Sequence, residues 1–344
     1  MKKRKFKIKK HNKKKIIIII TSVFVFFISL FLFLLYGPYS GFRNWLITTA
    51  MTTLNHQYLA TWFYSDETIR KVLEANNLIE PEGNTDTSLI TLEDEVVEYK
   101  DEYDEQILKR NKGDIYKIIE IEGEGYSGYL AAVYDPSKIK LVTSKYLGTK
   151  GEYLVDMAKE NNAVLAINGG GFLDTNGQGD GGTVSGIVIK DGEIINNGGR
   201  GGDGGLIGFT NDNKLFLGRV SASEAINLGV RDAIEFGPFL IINGESSFIN
   251  GNGGYGKHPR SVIGQRKDGI VLMLVIDGRR IGCVGADMDD LVEIMLRYGA
   301  YNAANLDGGN SSVMVVNNEI INHPINWDNL EKTRPIPNGF IVVK

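Results

Sequence analysis

The chain has 344 residues, enough for one large domain or two small ones. Its 42% hydrophobic content supports a packed core, and its 42 glycines point to loops and strand ends rather than a helical bundle. The formal net charge of -4 hides an asymmetry: residues 1–15 hold ten Lys/Arg and no acid, which leaves 28 basic against 42 acidic residues elsewhere, a balance of -14 that argues against nucleic-acid binding.

A basic tail over 1–15 precedes 16–36, a run of 21 uncharged residues. At 1.5 Å per residue that run spans about 31 Å, the thickness of a hydrocarbon core. The expected topology is a single-pass signal anchor in the cell membrane, with the N-terminus in the cytoplasm and the rest extracytoplasmic. A cleaved signal peptide is the rival, disfavoured by the length of the run and the lack of a small-x-small site after it. Residues 37–79 read as a juxtamembrane helical segment, with Phe42, Trp45, Leu46, Leu54, Tyr58 and Trp62 at spacings of three and four. They would lie either at the membrane interface or against the main domain. Residues 80–110 are rich in acids and read as a solvated linker.

The main domain is expected over 111–344. Strand patterns run from Tyr116 to Ile121, Gly128 to Tyr134, Ile139 to Ser144 and Ala163 to Ile167, with a helix between Glu152 and Asn162. Shorter strand-like runs follow at 186–190, 206–209, 214–218, 239–242, 261–265, 270–276, 313–316 and 340–343. Turns such as Lys190-Asp191-Gly192 and Lys267-Asp268-Gly269 suit hairpins. A helix capped by Asp287, with Leu291, Ile294, Met295 and Tyr298 on its apolar face, ends at Gly299. These elements predict an α+β fold: a mixed, largely antiparallel β-sheet domain with a few flanking helices, preceded by the transmembrane helix. The lone Cys283 forms no intramolecular disulfide and sits in an apolar setting that fits a core residue better than a nucleophile.

Two buried strands end abruptly in small polar loops, at Asn168-Gly169-Gly170-Gly171 and at Asp307-Gly308-Gly309-Asn310-Ser311-Ser312. A carboxylate at the end of a buried strand stands where sheets place ligands, and glycines beside it let a ligand approach the backbone. The plainer alternative for Asp307 is a tight turn. Five segments, INGGGF at 167–172, EFGPFLI at 235–241, HPRSVIG at 258–264, VIDGRR at 275–280 and NLDGGNSS at 305–312, together resemble the phosphodiester glycosidase family over about residues 115–344. Two positions depart from the family's usual pattern: Asn310 stands where a third glycine is usual, and Ser261 where threonine is frequent.

The resemblance implies a hydrolase that splits a sugar 1-phosphodiester between the anomeric carbon and the phosphate oxygen. Such chemistry needs a cation on the phosphate and a carboxylate for water or for oxocarbenium charge. Arg260 and Arg279 are candidate phosphate clamps, since a guanidinium fork matches phosphate oxygens, although Arg279 and Arg280 are not separable by sequence. Asp307 and Asp277 are candidate base and stabiliser. His258 is a candidate acid or a pocket wall, and Glu235 a further acid/base candidate. Asn168 would bind sugar hydroxyls, Ser261 and Ser311 offer hydroxyls, and Gly169, Gly308 and Gly309 offer backbone N–H groups. No cofactor is expected, although oxygen side chains at Asp174, Asn176 and Asp180 resemble the first half of a calcium loop that lacks its closing Glu. The expected partner is a glycan phosphodiester of the envelope or of an exopolysaccharide. Two alternatives use the same site: a non-catalytic glycan-binding or exopolysaccharide assembly protein, and a glycosyl transferase. The sequence leaves the oligomeric state open.

Overall fold

The computed structural model describes residues 10–53, 56–92, 98–174, 179–198, 204–325 and 333–344, with side chains from residue 13. It divides into two compact units, 1–74 and 75–344.

The first unit is helical. Helix Lys10–Tyr36 is apolar and solvent-facing from Ile16 onward, and by length and composition it can cross a membrane. Its last turn is anchored: Leu35 is buried with Ile47, Ala60, Tyr64, Ile69 and Val72. The Tyr64 hydroxyl donates to the Leu35 carbonyl at 3.1 Å, and the Tyr36 hydroxyl to the Phe63 carbonyl at 3.0 Å. Helices Ser40–Met51 and Asp66–Ala75 supply the packing partners. Trp62 points outward, 73% exposed.

The second unit is built on three antiparallel sheets. The largest runs in the order Glu245–Ser246, Phe239–Ile242, Ala300–Leu306, Arg260–Arg266, Val271–Ile276, Tyr126–Val133, Tyr116–Gly123. A five-stranded sheet has Ala163–Asn168 at its centre, flanked by Asn338–Val343 and Met314–Val316. Another has Val230–Phe236 between Gly205–Thr210 and Ile187–Lys190. Every strand pairing among the described residues is antiparallel, as expected from the hairpin signals.

The uninterrupted apolar run Val271–Ile276 shows how the layers form. Val271, Met273 and Val275 point into the core shared by the three sheets, where Phe209, Phe239 and Phe340 lie. Leu272, Leu274 and Ile276 point to the opposite face, which helix Met288–Arg297 covers. Burial on both faces therefore replaces polar alternation. Asp287 caps that helix in a reciprocal capping box with Asp290.

Residues 80–110 depart from the expected solvated linker. Leu78–Ile79 pairs with Phe248–Ile249, so the helical stretch ends at Ala75. The Glu80 carboxylate accepts from the Phe239 N–H, the Thr85 N–H donates to the Leu217 carbonyl, and the Thr91 N–H to the Lys267 carbonyl. Ile90 and Ile107 are buried, and Asp104 on helix Glu102–Leu108 pairs with buried Arg266 at 2.8 Å. A few well-spaced apolar and hydrogen-bonding residues fix this strap despite its acidic composition. Asp104→Ala is expected to destabilise the second unit by about 2–3 kcal/mol, because Arg266 keeps Asp268 but loses a buried partner. Chemical unfolding of the full chain reads the change; an unaltered midpoint for the 75–344 transition would mean that the strap contributes nothing.

The arrangement brings strand ends together. Arg260 pairs with Ile276 and Ser261 with Leu306, so Arg260 begins its strand where the other two end. Gly339 pairs with Asn168 in the neighbouring sheet. Asp277, Asp307, Arg260 and Asn168 thus emerge at the meeting edges of two sheets.

Candidate active site

Asp307 follows strand Ala300–Leu306, and its backbone is clamped before its side chain is considered. Its N–H donates to the Gly169 carbonyl at 3.0 Å, and its carbonyl accepts from Asn168 Nδ2 at 2.6 Å. The carboxylate is 17% exposed and lies 3.2 Å from Arg334 Nη2. Arg334 also donates to Ser311 Oγ, from Nε at 2.8 Å and from Nη2 at 2.6 Å, and its guanidinium sits 4.6 Å from the centre of the Phe172 ring. A planar fork that joins a hydroxyl and a carboxylate in one geometry is a fixed cation.

Two more guanidinium groups close on the same loop. Arg279 has φ 60°, an uncommon conformation for a side-chain-bearing residue. Its Nη1 donates to Asn310 Oδ1, and its Nη2 lies 3.0 Å from the position a Cβ would take on Gly309. Burial lowers the Arg279 pKa and neighbouring Arg334 lowers it further, while Asp307 opposes both. Arg280 is separated from it: that side chain turns to Asp277 at 3.5 Å. Arg260 is 7% exposed and spends Nε on the Ala286 carbonyl and Nη2 on those of Tyr255 and Gly256. Its Nη1 lies 3.9 Å from the Cβ position of Gly308. Burial, aided by Arg279, pulls the Arg260 pKa down to about 10, so it remains a cation at neutral pH.

His258 precedes this arginine in the chain and exchanges backbone hydrogen bonds with Ala286. Gly285, at φ 114°, permits that approach: a Cβ there would stand 2.3 Å from the His258 carbonyl carbon. Burial first, then Arg260 and Arg279, push the His258 pKa from 6.5 down to about 3, so the ring is neutral over the physiological range. Its Nε2 is buried with no hydrogen-bond partner among the described residues, as is Ser312 Oγ. Orphaned polar atoms beside a cationic cluster suit a polar ligand.

The His258 shift fixes a pH dependence. The folded value lies below the unfolded one, so between pH 6.5 and about 3 the unfolded chain binds the extra proton. Stability is whole above pH 6.5 and falls as pH falls through that window, by at most about 1.4 kcal/mol per unit from this group. Melting temperature against pH should therefore decline less steeply in His258→Gln than in the wild type. Parallel curves would show that His258 is protonated without cost.

Several sequence candidates turn out to hold the site rather than face it. Asn168 is 1% exposed; besides its bond to Asp307, its Oδ1 accepts from Ser261 Oγ at 2.7 Å and from the Val313 N–H at 3.2 Å. Both ends of the amide are engaged with protein, which corrects the expectation that it binds sugar hydroxyls, and Ser261 is consumed in the same bond. Gly169 gives its N–H to the Asn338 carbonyl, and Gly309 to that of Pro259. Gly308 alone of the three proposed glycines keeps an unengaged N–H among the described residues. Asp277 is 2% exposed; its Oδ1 accepts from Asn322 Nδ2 at 3.0 Å and from the His323 N–H at 2.8 Å. It is a buried anchor for the 322–323 loop, not an open carboxylate. Glu235 accepts from the Ile187 N–H at 2.8 Å and packs on Gly186, away from any contact with Asp307 among the described residues. Cys283 is buried, as expected for a core thiol.

Sequence reasoning missed Arg334. It opens the run RPIPNGFIVV at 334–343, outside the five segments that carry the resemblance, and no local pattern marks it: only the fold carries residue 334 back to 307. Of the calcium candidates, Asn176 lies outside the described residues, while Asp174 and Asp180 each accept a backbone N–H, from Gly179 and Gly182.

A family profile described as phosphodiester glycosidase matches residues 161–343. An uncharacterized SPbeta prophage-derived protein of Bacillus subtilis is 32% identical over 202 residues, 55% of this chain and 30% of that one. The mouse N-acetylglucosamine-1-phosphodiester alpha-N-acetylglucosaminidase is 24% identical over 231 residues, 60% of this chain and 43% of its own. The chain thus spans less than half the length of either relative. Among solved structures, the catalytic domain of the zebrafish enzyme of the same name, auto-inhibited by its pro-peptide, superposes with a TM-score of 0.56 at 20% identity. That match covers 69% of this chain and 86% of that one, and it shows a shared fold.

Proposed function

The chain belongs to the phosphodiester glycosidase family, and from that premise we propose that it hydrolyses a glycosyl phosphodiester in an envelope or exopolysaccharide glycan while held at the membrane by residues 16–36. The observation that carries the reading is one part-exposed carboxylate, Asp307, set among the guanidinium groups of Arg334, Arg279 and Arg260 at the edge of two sheets. A lone carboxylate among three cations fits a substrate that brings its own negative charge and leaves as an anion.

In the proposed reaction the phosphodiester lies against Arg279 and Arg260 Nη1, with the Gly308 N–H as a further donor. The bond between anomeric carbon and phosphate oxygen breaks, and its electron pair leaves on the phosphate. Water adds its oxygen to the anomeric carbon and gives its proton to the Asp307 carboxylate, which also stabilises positive charge developing on the sugar. Neutral His258 offers Nε2 to a sugar hydroxyl or a phosphate oxygen. Arg334, Ser311 and Asn168 position Asp307. This scheme calls on no cofactor. The basic tail and the apolar run that follows support a cytoplasmic N-terminus and an extracytoplasmic domain.

One contact favours the glycan-binding alternative: Asn310, in place of the usual glycine, accepts from the arginine meant for phosphate. Release of free sugar from UDP-N-acetylglucosamine by the purified full chain tests the hydrolase reading. Turnover supports it. A glycosylated product that appears only with added sugar acceptor would replace it with a transferase, and binding without any turnover would leave a binding protein.

A further inference from the structure

Beside the site lies a second feature that the proposed reaction does not use. A cleft of about 570 Å³ opens between the loop at 145–153, one side of helix Leu154–Glu160 and Pro335. Its volume falls within the roughly 300–1,000 Å³ of small-ligand clefts. We propose that this cleft is a subsite for an uncharged sugar unit of a longer glycan, next to the phosphodiester held at Asp307. The inference deepens the hydrolase reading and rests on it for the position of the scissile bond, although not for glycan binding itself.

Three observations support it. First, the cleft is joined to Asp307 by chain continuity. Arg334 bonds Asp307, Pro335 lines the cleft, and Ile336 exchanges backbone hydrogen bonds of 2.9 and 3.0 Å with Glu152. Consecutive Cα atoms are about 3.8 Å apart, so the backbone of the residue that holds Asp307 leads directly into the wall of the cleft. Second, the cleft presents apolar faces that are not covered. Tyr153 is 44% exposed, stands at the helix start without capping it, and its hydroxyl has no hydrogen bond among the described residues. Lys150 sits 4.3 Å from the centre of the Tyr146 ring, which stiffens that side of the cleft and leaves Tyr153 as the open platform. An aromatic face with a polar tip suits a sugar, whose ring has an apolar C–H face and a hydroxyl rim.

Third, the rim is polar yet balanced. Lys145 Nζ pairs with Glu152 at 2.9 Å and also with Glu160, and the lining holds as many lysines (Lys145, Lys150, Lys159) as acids (Glu152, Asp156, Glu160). A site for a second phosphate would carry a surplus of cations, as the Asp307 cluster does. A rim with equal numbers of cations and acids instead offers donors and acceptors together, which is what hydroxyl and acetamido groups need.

The test is calorimetric titration of the full chain, in detergent, with the tetrasaccharide of N-acetylglucosamine, the sugar named in the mouse relative. Wild type and Asp307→Asn should bind it equally. Tyr153→Ala should weaken binding at least about ten-fold while Tyr153→Phe stays within about two-fold, because the ring face carries the contact. Unchanged melting temperatures would show that both variants fold. Absence of binding by the wild type, or equal binding by Tyr153→Ala, overturns the subsite. The two readings fail separately: Tyr153-dependent binding without sugar release leaves the subsite and removes the hydrolase, whereas sugar release with Tyr153-independent binding does the reverse.

Discussion

Asp307→Asn is expected to lower sugar release by about 10³-fold or more while leaving the fold and substrate affinity near those of the wild type. The reason is local. Asparagine keeps the size of the side chain and an oxygen for Arg334 at 3.2 Å, and the clamp on the backbone of residue 307 runs through Gly169 and Asn168, which are untouched. What is lost is the charge and the ability to take a proton. Ground-state contacts to phosphate lie with the arginines, so affinity should hold while turnover falls, the signature of a group that acts in the transition state. Because Gly308 follows, an asparagine at 307 is prone to deamidate back to a carboxylate, so Asp307→Ala is measured beside it. Turnover by both variants within ten-fold of the wild type would remove Asp307 from the chemistry and return it to the tight-turn role that the Asp-Gly-Gly sequence also allows.

Much of the fold was legible because its signals are local. The run Val271–Ile276 reads as a buried strand on composition alone, and Lys267-Asp268-Gly269 as the turn before it. Asp287 and Gly299 bracket a helix by capping chemistry, and the structure has that helix at Met288–Arg297. Where the signal was only an acidic bias spread along a segment, it did not locate the contacts. The acids of 80–110 suggested a solvated linker, yet burial there depends on Ile90, Ile107 and one ion pair, which composition averages away. Helix Ala222–Asn227, only six residues long, has a cap at Ser221 but too short an apolar face to stand out.

Candidate residues were legible one by one, but not their burial or their partners. Strand-then-glycine breaks marked Asn168 and Asp307 as two separate candidates, and only the structure joins them, through a 2.6 Å hydrogen bond. Sequence has no means of telling an open carboxylate from a buried one. Asp277-Gly278 and Asp307-Gly308 look alike, but the 322–323 loop folds over the first and leaves it 2% exposed. The same limit hid Arg334, whose hydrogen bonds and ring contact among the described residues reach Ser311, Asp307 and Phe172, all more than twenty positions away.

Arg334→Ala and Arg279→Ala should separate the two kinds of arginine in this site. Arg334 has its fork committed to protein: two donors meet Ser311 Oγ, one reaches Asp307, and Phe172 packs on its plane. It is a positioning residue, and its removal frees the carboxylate to rotate. The expected result is a fall in kcat of about 10²-fold with KM little changed, since misplacing a catalytic group by an ångström is enough for such a loss. Arg334→Lys should recover little of it, because a single ammonium does not reproduce the planar fork. Arg279 differs, for its Nη1 donates to Asn310, a side chain able to yield to a phosphate oxygen. Its loss should raise KM and lower kcat/KM by about 10²-fold, the cost of one charge-assisted donor to phosphate in a partly desolvated site. Steady-state kinetics on both variants read the split directly. If Arg334→Ala raised KM while Arg279→Ala lowered kcat alone, the roles would be exchanged, and the phosphate would belong on the Ser311 side of Asp307 rather than the Gly308 side.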